Sequence, residues 1–203
     1  MILKMIYIIT RLILLCVIIF HLISCKNSSQ SNVQIEQSKD KPKTEMKQTA
    51  DNSFNDLRNM ALAMTPEQLN LRLPNDKTKV YGVVMDWDLG EGVATLVAFQ
   101  TGDASFYLSS GGGVIGGGQH DNVKRATVAY VDKAQTYLSK TTKTETTSLP
   151  DKDGIKFYLL TNNGKFIAQE QMKNIENNSS AWLELFEEGN KVITELRLTT
   201  ENK

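Results

Sequence analysis

KVYGVVMDWDLGEGVATLVAFQTGDASFYLSS, residues 79–110, decides the fold. It holds three runs rich in Val, Tyr, Phe and Leu: Lys79 to Trp87, Val93 to Phe99 and Ala104 to Ser110. Short runs of β-branched and aromatic residues, bounded by turn residues, read as strands. Asp88-Leu89-Gly90-Glu91-Gly92 and Thr101-Gly102-Asp103 separate them. Connections this short join antiparallel neighbours, because a parallel crossover needs about a dozen residues.

Downstream, Val123, Ala126, Tyr130, Val131, Ala134, Tyr137 and Leu138 recur at helical spacing, with Lys124, Arg125, Asp132, Lys133 and Gln135 opposite. That is an amphipathic helix with one face turned to a core. The polar TTKTETTSLPDKDG stretch reads as a loop. Ile155 to Thr161 and Lys165 to Gln169 then form a hairpin around Asn162-Asn163-Gly164, since Asn-Gly favours tight turns. Asn177 to Ser180 leads into a last helix with Trp182, Leu185, Phe186, Val192, Ile193 and Leu196 on one face. Gly189 should weaken that helix by about 1 kcal/mol relative to alanine.

Upstream, Ser53 and Asp56 fit an acidic capping box, and Phe54, Leu57, Ala61 and Met64 share a helical face. Thr65-Pro66-Glu67-Gln68 predicts a second short helix, with Thr65 as N-cap. The order is α-β-β-β-α-β-β-α. It predicts an α+β fold: one antiparallel sheet of about five strands with helices over one face. The plan resembles profilin or roadblock-type domains, although the strand counts around the central helix differ. Such a likeness of architecture implies no function.

Between the third strand and the central helix lies SSGGGVIGGGQH, residues 109–120. Glycine loses extra backbone entropy on folding, so such a loop is kept where the chain turns with positive φ or approaches something closely. Two readings follow. A ligand or anion cradle would use Ser110, Gly111, Gly112, Gly113, Gly116, Gly117, Gly118 and His120, with N–H groups and a helix N-terminus turned to the ligand. A packing loop would use the same glycines to lie flat on the sheet or helix, with Val114 and Ile115 plugging the core. Gly111 to Gly116 satisfies G-x-G-x-x-G, but the helix starts too late for a dinucleotide fingerprint, and no Lys-Ser/Thr follows for a P-loop. The block from Tyr81 to Arg125, with YGVVMDW at its start and GGGVIGGGQH at its centre, resembles segments of uncharacterised bacterial proteins. That resemblance implies a recurrent domain and no activity.

Other constellations are weaker. Ser109, Ser110 and His120 invite a hydrolase reading, but there is no G-x-S-x-G elbow. Asp86, Asp88 and Glu91 read as a solvated turn, too short for a calcium loop. Trp87 between the acids marks a core edge or a contact surface for a partner.

The N-terminus reads MILKMIYIITRLILLCVIIFHLISC, residues 1–25. Lys4 and Arg11 precede an apolar run from Leu12 to Ile23, the pattern of a secretory signal. Leu22-Ile23-Ser24-Cys25 resembles the lipobox of bacterial lipoproteins. The resemblance implies cleavage before Cys25 and diacylglycerol on its thiol. Two or more acyl chains give stable anchoring, at about 0.8 kcal/mol per buried methylene. The expected organisation is a signal peptide at 1–24, a lipidated cysteine and tether at 25–53, and one α+β domain at 54–203. The tether, Lys26 to Ser53, has no aromatic residue and is rich in Ser, Asn, Gln and Lys. Such a chain spans roughly 30 Å.

Cleavage would leave 21 basic and 23 acidic residues, a net charge of −2. That balance argues against nucleic acid as partner. Cys16 and His21 would leave with the signal and Cys25 would be acylated, so the domain keeps no free thiol and one histidine, His120. Cysteine-ligated zinc and multi-histidine metal sites are then excluded within one chain, and no cofactor is expected. The composition favours a non-catalytic binding module for a protein or envelope partner, immunity-like or accessory. The alternative is a small-ligand or anion binder, less readily a hydrolase, using Gly111–Gly118 and His120. Lys26 is not the aspartate that in enteric-type bacteria resembles an inner-membrane retention signal. An outer membrane is therefore the favoured site in a Gram-negative cell, and the outer side of the cell membrane otherwise.

Overall fold

The computed structural model describes residues 50–201, with side chains from Ser53 onward. These residues belong to one compact unit, Met46–Lys203. The signal segment and almost all of the tether lie outside the described residues. Helix α1 spans Ala50–Ala63, so the last residues of the expected tether are already helical. Strands β1 (Val80–Asp88), β2 (Val93–Phe99), β3 (Ala104–Leu108) and β4 (Gly113–Val114) follow, then α2 (Asp121–Tyr137) and β5 (Thr142–Thr144). The chain closes with β6 (Gly154–Thr161), β7 (Gly164–Gln171), α3 (Met172–Glu176) and α4 (Leu183–Glu201).

The fold is α+β with one antiparallel sheet, but of seven strands rather than about five, in the order β4-β3-β2-β1-β6-β7-β5. The two extra strands are the edges. β4 arises where the glycine-rich segment folds back on β3, pairing Phe106 with Val114 and Tyr107 with Gly113. β5 lies in the threonine-rich stretch read as loop, and pairs with β7 at Thr142↔Ile167 and Thr144↔Lys165. Two- and three-residue strands carry too little periodicity to announce themselves. They leave little open edge for another chain to extend.

The Thr65–Gln68 signal also resolves differently. Thr65 N–H donates to Gln68 Oε1 (2.8 Å) and Gln68 N–H to Thr65 Oγ1 (3.4 Å), the reciprocal pattern of a capping box. No helix continues from it. Asn70, at φ 55°, breaks the chain after one turn.

Helices cover both faces of the sheet, not one. On the first face, α2 and α4 bury Tyr130, Val131, Ala134, Leu185, Val192 and Leu196 against Met85, Leu96, Phe157 and their neighbours. Here Gly189 has a use that helix propensity hides. A Cβ at that position would stand 3.2 Å from Met85 Cε and 3.3 Å from Tyr130 Cζ. The missing side chain lets α4 press onto the sheet and α2. An exposed ion pair, Lys133–Glu184, ties the two helices on the outside.

On the second face, α1 lays Phe54, Ala61 and Leu62 over Tyr81, Val84, Val97, Phe99, Tyr107, Tyr158 and Leu160. The sequence hides this layer because β1 and β6 are apolar on both sides. A strand buried on both faces loses its alternation, and with it the sign of a second cover.

Candidate functional site

The glycine-rich segment is a folded hairpin end. β3 turns through Ser109–Gly112, with Leu108 N–H donating to Gly112 O (3.1 Å) and Gly111 N–H to Leu108 O (3.0 Å). Gly111, Gly112, Gly113 and Gly116 all have positive φ. Two positions also show close approach. A Cβ on Gly113 would stand 2.3 Å from Phe106 O, and one on Gly117 2.3 Å from Leu196 Cδ2. The Gly118 Cβ position is filled by the Asp103 carboxylate. Val114 packs on the first core as expected, but Ile115 is 64 % exposed and plugs nothing.

Two of the polar groups around this segment are engaged within the fold. Ser109 Oγ accepts from Val93 N–H (2.9 Å), and Gly116 N–H donates to Ser105 Oγ (3.3 Å). Ser110 is exposed. His120 is the N-cap residue of α2, with extended backbone (φ −101°, ψ 121°), yet its ring makes no capping bond. Asp121, in the first turn, is the group that suits the helix dipole. No hydrogen bond joins His120 to Ser109 or Ser110 among the described residues. A serine nucleophile needs such a base within reach. Two surface clefts lie elsewhere. One of about 180 Å³ touches Asp151, Lys156 and Gln169, and one of about 370 Å³ lies between Asn75–Thr78 and Asn162–Asn163.

Trp87 is a core-edge residue. Its half-buried indole meets Phe186 edge-on, at 5.4 Å and 78°. Of the three acids around it, Glu91 is exposed and Asp88 Oδ2 accepts from Asp153 N–H (2.8 Å). Asp86 belongs to no turn: it is fully buried. No group of three or more potential metal-binding side chains occurs among the described residues.

Asp86 is the centre of what the sequence reading missed. Strand register places Tyr107, Thr95, Asp86, Lys156 and Gln169 opposite one another across β3, β2, β1, β6 and β7. They form a polar row through an apolar face. From above, α1 lowers Arg58 onto it. Arg58 Nη2 donates to Asp86 Oδ2 at 2.7 Å, and Arg58 Nε reaches both carboxylate oxygens at 3.0 and 3.1 Å. Thr95 Oγ1 donates to Asp86 Oδ1 at 2.7 Å. Arg58 is only 4 % exposed, and its guanidinium also sits 5.6 Å from the Tyr158 ring centroid. A buried carboxylate is tolerable when a forked cation and further donors replace its water.

Lys156, next in the row, is held by the Ser148–Leu149 segment. Lys156 Nζ donates to Ser148 Oγ (2.8 Å), Leu149 O (3.0 Å) and Ser148 O (3.4 Å), using all three donors. Tyr158 OH donates to Ser148 O. Burial raises the Tyr158 hydroxyl above its usual range, and Arg58 partly opposes this. Tyr107 is raised further, by burial first and by the Asp86 carboxylate second. Its hydroxyl has no partner among the described residues.

A signal for this cluster was present. Arg58 falls on the helical face of Phe54, Leu57 and Ala61, and Asp86 interrupts an apolar strand. Opposite charges on two surfaces that must both be buried suggest a pair. No family model matches the chain, and no curated protein or solved structure is significantly similar to it.

Proposed function

We propose that the chain is a lipoprotein, acylated on Cys25, that presents its α+β domain as a non-catalytic binding module for a protein or envelope partner. The observation that carries this is the N-terminal sequence: Lys4 and Arg11, the apolar run to Ile23, then Leu22-Ile23-Ser24-Cys25. The site geometry supports a module rather than an enzyme. The glycines serve turns and close contacts, and His120 makes no hydrogen bond to Ser109 or Ser110 among the described residues. None of the described helices is long and apolar enough to cross a membrane, so attachment would rest on the N-terminal segment.

Mass spectrometry of the protein purified from its own envelope tests the anchor. The expected mature N-terminus is an acylated Cys25; an intact Met1 or an unacylated N-terminus would sink it. A pull-down of the tagged, acylated protein tests the partner. Recovery of a stoichiometric envelope protein is expected. Saturable binding of a small ligand at residues 110–120, with no protein recovered, would favour the alternative.

A further inference from the structure

We propose that α1 is a displaceable strap. It lifts from the sheet as a unit, uncovering the polar row, while the sheet, α2 and α4 stay folded. This goes beyond the anchored-module reading and does not depend on it.

Three observations carry it. First, the core beneath α2 and α4 contains no residue of α1, so the larger part of the domain is complete without the helix. Second, the connection Met64–Lys79 is satisfied on its own terms. Tyr81 OH holds Met64 O at 2.7 Å, Thr65 and Gln68 cap each other, and Leu69, Leu71 and Leu73 pack on the second-face cluster that also holds Tyr81, Val84 and Leu160 of the sheet. A hinge is thereby fixed at Met64, just past the end of the helix.

Third, the α1 interface is polar at its centre. Opening an apolar contact exposes oil to water and regains nothing. Opening this one returns Arg58 and Asp86 to solvent, which recovers the desolvation cost of burying both charges. Thr95 and Tyr107, directly beneath, would also be hydrated. The interface is therefore easier to open than an apolar one of equal size, yet specific when closed, because the forked Arg58–Asp86 bond fits one helix position. A 14-residue helix is marginal alone, so lifting would also melt it. The strap is an order–disorder switch at the point where the N-terminal segment meets the domain.

Native-state hydrogen exchange on the full chain in detergent micelles tests this. Amides of residues 54–63 should exchange together, at least tenfold faster than those of Val84, Leu96 and Tyr130, and with a weaker denaturant dependence. Equal rates and slopes in α1 and β1 would overturn the proposal, since α1 would then open only with the whole domain. The double variant Arg58→Met/Asp86→Leu gives a second reading. It should slow α1 exchange about tenfold, because both surfaces become costly to wet. Unchanged or faster α1 exchange in that variant would overturn the role given to the ion pair.

Discussion

The two faces of this sheet are closed in different ways. Beneath α2 and α4 the contacts are almost wholly apolar, and a glycine at 189 lets the helices come close. Beneath α1 the apolar residues surround a carboxylate and a guanidinium that each depend on the other. An apolar core tolerates small errors of position, because dispersion and burial have no direction. The polar centre does not: one partner displaced leaves a charge in a poor solvent. The first face supplies most of the bulk, and the second supplies a point of exact registration.

The sharpest way to break that contrast is Asp86→Ala. With Arg58 left buried and unpaired, unfolding in denaturant should show a loss of about 3–5 kcal/mol. The double Arg58→Met/Asp86→Leu should lose nothing, in keeping with the slower α1 exchange expected of it. A single variant as mild as the double would place Arg58 in solvent and erase the difference between the faces. Next in size is Gly113→Ala, where a methyl would meet the Phe106 carbonyl and the Tyr107 backbone. A loss of about 1–3 kcal/mol is expected from overpacking. Gly112→Ala faces open space and should cost about 1–2 kcal/mol, from its φ of 85° alone.

Alkali should weaken both faces. Burial holds Tyr107, Tyr130, Tyr158 and Tyr81 above the ordinary tyrosine value of 10.0. The unfolded chain loses these protons near that value while the folded chain keeps them. Stability is therefore intact below pH 10 and falls as the pH rises beyond it. Thermal melting between pH 9 and pH 11 reads this; a flat profile would mean the hydroxyls are not held neutral. The smallest effect is expected at Tyr130→Phe. Its buried hydroxyl has no partner among the described residues, so its removal should change stability by less than about 1 kcal/mol, with either sign.

Much of the fold was legible because its longer elements carry strong periodicity. The Val123–Leu138 helix and the Asn162-Asn163-Gly164 hairpin lie where spacing and turn chemistry put them. What was missed has physical reasons. β4 and β5 are too short to show a pattern. The cover on the second face was lost because β1 and β6 are buried on both sides. The glycine-rich segment drew attention as a site through composition, while Asp86, a single acid in an apolar run, was read with its neighbours as a turn. Composition advertises loops; only cross-strand register assembles Tyr107, Thr95, Asp86 and Lys156 into a row.

The seam between β1 and β6 has a consequence for how the molecule comes into being. Hairpins between strands near in sequence build most of the sheet, β1 to β4 on one side and β6 with β7 on the other, and β5 from just upstream of β6 is added along β7. The seam joins the most distant parts of the chain, pairing Val84 with Tyr158 and Met85 with Phe157. Closing so large a loop is slow, and β1 has no second neighbour until β6 has been synthesised. The nascent chain thus stays open until nearly its full length is available. If the chain is exported as the proposed lipoprotein would be, a late-closing seam keeps it compatible with passage across a membrane.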